Sequence, residues 1–164
     1  MQENHILFPE GIHPSEDTLY NIRYLEHCER VVLSDACLHY YRTGEGGVMS
    51  KYKSTWVKNN GKAKEIAKAF VAKNLGGTGH EDEWRNFCII LLKEIMKLQV
   101  FHPQSPLSNK EKIELANEII DQDIDYKNAV RSCWNRLYTP QSRLFATMMR
   151  FKTYRMLELL YRIK

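Results

Sequence analysis

The chain has 164 residues, of which 43% are hydrophobic and 27% charged. That is the balance of a folded domain with a core, and it excludes a disordered tail. No apolar run reaches the roughly 18–20 residues of a membrane-spanning helix, and the start, Met1-Gln2-Glu3-Asn4-His5, lacks the basic-then-apolar pattern of a secretion signal. Cytoplasmic residence is the expectation, peripheral on the inner face of the membrane if the basic tail binds lipid.

The net charge of +4 hides an asymmetry. Residues 1–49 carry three basic against eight acidic groups, a balance of −5, whereas residues 126–164 carry nine basic groups against Glu158 alone, a balance of +8. The two ends therefore face different partners. Cys28, Cys37, Cys88 and Cys133 are scattered without a CxxC pair, which argues against a zinc site. Cys88 and Cys133 fall on apolar helical faces, as buried free thiols do in a reducing compartment.

In chain order, residues 4–12 read as an extended lead-in, restricted by Pro9 and Pro14. Ser15 is placed as an N-cap, with Glu16 and Asp17 in the first turn of a short helix ending near residue 29. The β-branched run 30–33 and the segment 37–42 predict two short strands around a Ser34-Asp35 turn. Thr43-Gly44-Glu45-Gly46-Gly47 is a flexible loop.

Everything beyond that loop reads helical. Ala63, Ile66, Ala67, Phe70 and Val71 make one stripe; Trp84, Phe87, Cys88, Leu91, Leu92 and Ile95 another; Tyr126, Ala129, Val130, Cys133, Trp134 and Leu137 a third. A weaker helix covers about 110–121, and a last one runs from about 141 to 163. The expected fold class is mainly α with a small α+β start: a short helix and two short strands, then a bundle of about five helices. The expected domains are 1–49 and 50–164.

Two acids at a helix start are favoured by the helix dipole and by unpaired backbone N–H groups. Such a carboxylate can accept a proton from an attacking hydroxyl. It can equally be a helix-stabilising residue and nothing more.

The wider pattern separates these readings. Phe8-Pro9-Glu10, then Glu16-Asp17 with Leu19 and Tyr20 close behind, then Tyr40-Tyr41-Arg42 and Ser50, resembles the second half of family 2 glycosyltransferase domains over residues 4–50. The resemblance implies an A-type nucleotide-sugar fold. Asp17 would be the base that deprotonates the acceptor, and Glu16 would shape the acceptor pocket or orient Asp17. Arg42 and Ser50 would lie on the donor side, Arg42 at the diphosphate, where a guanidinium pairs with phosphate oxygens in bidentate fashion. Residues 43–50 would close over the donor as a flap.

The family's nucleotide-binding half, with its metal-holding Asp-x-Asp, is expected outside this sequence. The resemblance therefore implies no cofactor in this chain and, for the full enzyme, a nucleotide-diphosphate sugar, a divalent metal (Mg or Mn) and a glycan or lipid-linked acceptor, as in bacterial-type surface polysaccharide synthesis. This chain alone is not expected to be active. Asp121, Asp123 and Asp125 come in the wrong order for that motif and read as helix end and cap. Gly76-Gly77-Thr78-Gly79 reads as a helix terminator and His80-Glu81-Asp82-Glu83 as a capping turn.

The last helix carries Phe145, Met148, Met149, Met156, Leu159, Leu160 and Ile163 among many basic residues. It reads either as a core helix or as an interfacial helix for anionic lipid through residues 141–164. No nucleic-acid motif accompanies the charge. An uncovered sheet edge would favour a homo-oligomer. The rival to the transferase reading is a non-catalytic helical module that binds a partner or a membrane surface.

Overall fold

The structure, a computed structural model, describes residues 6–11, 15–37, 40, 51–76, 78–132 and 136–162. It is 66% helical, with seven helices and no strand among the described residues. These are α1 (Glu16–Leu25), α2 (Trp56–Asn74), α3 (Glu81–Ile95), α4 (Asn109–Gln122), α5 (Ile124–Arg131), α6 (Pro140–Arg150) and α7 (Tyr154–Arg162). No helix among the described residues is long and apolar enough to cross a membrane. The chain divides into two compact units, residues 1–51 with 59–77, and residues 52–58 with 78–164.

In the first unit α1 and α2 lie side by side and run the same way. Ser15 at the head of α1 bonds Asn60 near the head of α2, and Glu26 just past α1 pairs with Lys73 in the last turn of α2 at 3.2 Å. Leu19 is fully buried on α1, and Ala63 and Ala67 are buried on α2. Gly76 ends this unit's helix at φ +71, a left-handed position that glycine takes without strain.

The two strands expected at 30–33 and 37–42 are a correction. Residues 30–37 and Tyr40 are irregular, with Leu33 and Tyr40 each 93% exposed; residues 38, 39, 41 and 42 lie outside the described set. β-Branched and aromatic residues favour strands only where a pleated, half-buried surface receives them. No strand partner is present among the described residues, so Val31 and Val32 stay in solvent.

The second unit is a helical bundle built on α3. Cys88, Leu91, Leu92 and Ile95 are buried as the stripe requires, and Trp84 and Phe87 pack at its edge. The helix then widens into one π turn over Met96–Val100, closed by the Phe101 N–H donating to the Met96 carbonyl at 2.8 Å. That turn buries Met96, Leu98 and Val100. It also presents Gln99, whose Oε1 accepts the Val57 N–H at 2.9 Å in the first turn of α2.

Ser108 starts α4 with a capping box: its hydroxyl accepts the Glu111 N–H at 3.3 Å, and the Glu111 carboxylate accepts the Ser108 N–H at 2.7 Å. Ser108→Ala leaves that amide unanswered, and urea melts should show a loss of about 1 kcal/mol with an unchanged m-value. Asp123 ends α4 and caps α5, its Oδ1 accepting from the amides of Asp125 and Tyr126 at 2.9 and 3.1 Å. The reading of these aspartates as helix end and cap therefore holds. Helix α5 stops at Arg131, short of the predicted stripe, because Ser132 turns extended; Cys133 and Trp134 lie outside the described residues, and Leu137 is buried beyond the helix.

The single last helix expected over 141–163 is also corrected. It breaks at residues 151–153 into α6 and α7, so the bundle has one helix more than expected. Lys152 takes a positive φ of 55, and the Thr153 N–H returns to the Met148 carbonyl at 3.0 Å, an α6 carbonyl left open by the break. The break splits the predicted apolar stripe: Phe145, Met148 and Met149 on α6 are buried, while Met156, Leu159 and Leu160 on α7 are exposed.

Candidate functional site

The acid pair sits where the sequence places it, in the first turn of α1. Asp17 is exposed and Glu16 half-buried. Asp17 Oδ1 accepts the Thr18 N–H at 2.7 Å and the Thr18 hydroxyl at 3.4 Å. One carboxylate oxygen thus satisfies an amide that the helix start leaves open. The other, Oδ2, makes no hydrogen bond among the described residues and faces solvent.

Ser15 holds the N-cap position but does not cap. Its φ is 82, its side chain makes no cap bond, and its hydroxyl donates instead to Asn60 Oδ1 at 2.8 Å. Left-handed backbone in a non-glycine residue is strained and persists where surrounding contacts hold it. The contact here is Asn60, fully buried on α2, with its Nδ2 unpartnered. The mouth of α1 is therefore fixed by a tertiary bond, not by its own cap.

The Phe-x-Glu lead-in reaches the same helix. The Phe8 ring stacks on Tyr20, with centroids 4.3 Å apart and planes 6° from parallel. This places the Phe8 ring against α1, one turn on from the acid pair. Gly11 turns the chain at φ +70. Arg42 and Ser50, expected on the donor side, lie outside the described residues, as do residues 43–49 of the expected flap.

Among the described residues no three His, Cys, Asp or Glu side chains converge. The divalent metal implied by the resemblance has no cradle in them.

Two cavities lie within the second unit among its described residues and bear on function. One, of about 800 Å³, is polar and lies at the head of α3, lined by Asp82, Arg85, Arg131, Arg136 and Tyr138 among others. Asp82 accepts from Arg136 at 2.8 Å and Arg85 at 2.6 Å. The Arg136 bond first, then that of Arg85, holds its carboxyl below the 3.8 of a free aspartate. Beneath it the buried Asn86 donates to the carbonyls of Asp82 and Arg136 and accepts the Tyr138 N–H at 2.9 Å, pinning residues 136–138 to α3. His80 caps nothing with its side chain; the Glu81 carboxylate accepts the Gly79 N–H instead.

A carboxyl with a lowered folded pKa stabilises fully above its free value and stops doing so as pH falls through the lowered one. Asp82→Asn should therefore lower Tm at neutral pH, change it little at the acid end, and so flatten the acid limb of Tm against pH. Thermal melts through the acid range, with parallel acid limbs, would refute this role for Asp82.

The other cavity, of about 430 Å³, lies between α4 and α7 and is mostly apolar, with Phe101, Ile113 and Tyr154 inside and Lys110, Glu114 and Arg155 at the rim. The Tyr154 hydroxyl donates to Asn117 at 2.8 Å, and burial, with Asp121 nearby, pushes it up to about 12. Cys88 is a buried free thiol as expected, Cys37 is exposed, and Cys133 lies outside the described residues.

The Ser15–Asn60 bond and the Gln99 cap escape sequence reasoning, because each joins residues more than forty positions apart and neither residue type is unusual where it stands. The Ser108 capping box did carry a local signal, Ser-x-x-Glu before an apolar run. No family model, no curated protein and no solved structure matches the chain.

Proposed function

We propose that residues 1–49 are the acceptor-side end of an inverting glycosyltransferase domain, with residues 50–164 a helical accessory domain. The observation that carries the reading is the Asp17 carboxylate: exposed, oriented through Oδ1 by a first-turn amide, and open at Oδ2. The Phe8–Tyr20 stack adds support, since it joins two separate parts of the sequence pattern on one helix.

The reaction follows from that carboxylate. The proton of an acceptor hydroxyl passes to Asp17 as its oxygen attacks the anomeric carbon. The bond from that carbon to the diphosphate oxygen breaks, and its electron pair leaves with the nucleoside diphosphate. In-line displacement inverts the anomeric centre. Glu16, beside Asp17 and half-buried, shapes the acceptor pocket. Arg42 steadies the departing diphosphate, with Ser50 on the same donor side. The substrates are a nucleotide-diphosphate sugar and a glycan or lipid-linked acceptor.

The test is sugar transfer by the enzyme that joins this acceptor side to its donor-binding half. Loss of transfer in Asp17→Asn, with donor binding kept, supports the assignment; undiminished transfer removes Asp17 as the base. The rival, a non-catalytic helical module, is favoured by one observation only, the exposed apolar face of α7.

A further inference from the structure

Helix α7 is apolar on two sides. Tyr154, Leu157 and Tyr161, at i, i+3 and i+7, share the face turned into the bundle, where Tyr154 and Leu157 are buried. Met156, Leu159 and Leu160, at i, i+3 and i+4, share the opposite face and are 60, 59 and 48% exposed. Phe151, in the turn before the helix, is 69% exposed. A helix apolar all round is ordinarily covered on both sides, and contiguous exposed apolar surface marks an interaction site.

The exposed charges that this segment itself carries are basic. Arg150, Lys152 and Arg155 are exposed beside it. The sequence from 150 onward holds five basic residues and a single acid, Glu158. That acid is turned inward and paired with Lys112 at 3.3 Å, its side chain 15% exposed. The outward surface is thus apolar in the middle and cationic at its edges, the exposed Glu114 of α4 lying near Arg155 at the rim of the α4–α7 cavity and pairing with Lys110 at 3.7 Å.

We propose that the outward face of α7 docks on an anionic lipid surface, Met156, Leu159 and Leu160 entering the acyl boundary and the basic side chains resting among the headgroups. This narrows the interfacial segment from residues 141–164 to α7 and the turn before it, because the apolar side of α6 is committed to the core. A second copy of the chain fits poorly, since pairing the face with itself would bring like charges together. A nucleic acid would use the cations but leave the leucines in water. The inference stands independently of the transferase reading, and Asp17→Asn should leave it untouched.

The experiment is flotation of the purified chain with two kinds of vesicle, phosphatidylcholine alone and phosphatidylcholine mixed equally with phosphatidylglycerol. The chain should float with the mixed vesicles only, and less as salt rises. The triple variant Met156→Gln/Leu159→Gln/Leu160→Gln alters exposed positions, so its melting curve should match the parent while binding falls about a hundredfold. Arg150→Gln and Arg155→Gln should each weaken binding about fivefold. Failure to float with anionic vesicles, equal flotation with neutral ones, or binding that survives the triple substitution would each overturn the proposal. So would a concentration-dependent dimer, seen by sedimentation without lipid and abolished by the triple variant, which would give the face to a second copy.

Discussion

Replacing Asp17 by Asn should slow sugar transfer about 10²–10⁴-fold, the range over which a positioned general base contributes. The substitution is a narrow one. An amide oxygen can still accept the Thr18 N–H that Oδ1 now accepts at 2.7 Å, so the side chain keeps its place at the mouth of α1. The Ser15–Asn60 bond that fixes that mouth does not involve Asp17. What disappears is the capacity to take a proton, together with a helix-dipole interaction of about 0.3–1 kcal/mol. A Tm within a few degrees of the parent, normal donor affinity and a collapsed kcat would assign proton removal to this residue. Glu16→Gln provides the internal control: as a pocket-shaping residue it should act mainly on the acceptor KM. If Glu16→Gln lost the greater part of kcat and Asp17→Asn little, the roles of the two acids would be reversed.

That much was legible because a helix start is a local event. Glu16 and Asp17 follow two prolines and precede an amphipathic run, and nothing distant is needed to place them. The α3 stripe was legible for a similar reason, its 3–4 spacing satisfied by a single buried face. The strands were misread because β-propensity describes a fit to neighbouring strands, and Val31–Leu33 meet none among the described residues. The break after α6 was invisible for a different reason. Phe151, Lys152 and Thr153 include neither Gly nor Pro, and the apolar spacing runs on through them. Only the tertiary demand of the core, which takes Met148, Met149 and Tyr154 but leaves Met156 outside, turns the chain there. The same break converts an apparent core stripe into two faces with different partners, so the docking surface could not have been isolated from spacing alone.

One ion pair contributes to the orientation of α7, and breaking it from either side should be costly. Lys112 on α4 and Glu158 on α7 meet at 3.3 Å with side chains 7 and 15% exposed. Removing one partner of such a pair strands the other charge in low dielectric, which costs about 3–5 kcal/mol. Glu158 keeps a little contact with water, so Lys112→Met should sit near the lower end of that range. At about 2–4 °C per kcal/mol for a chain of this size, the fall in Tm should be about 10 °C. The double variant Lys112→Met/Glu158→Leu should recover most of the loss, since a buried pair replaced by well-packed apolar groups is often neutral in stability. A cycle of the two single variants and the double would then give a coupling well above the 0–1 kcal/mol typical of surface pairs. A Lys112→Met protein as stable as the parent would mean that the pair behaves as a surface contact. Its place on the helix explains why a polar pair stands where two leucines would serve as well for packing. Glu158 shares the inward side of α7 with Tyr154, Leu157 and Tyr161. Both sides of the helix are apolar, so hydrophobic burial alone discriminates weakly between presenting that side to the bundle and presenting Met156, Leu159 and Leu160. A carboxylate that is buried on the inward side and paired there with Lys112 makes the second arrangement costly, and it withdraws the one acid of the segment from the face on which the basic residues stand.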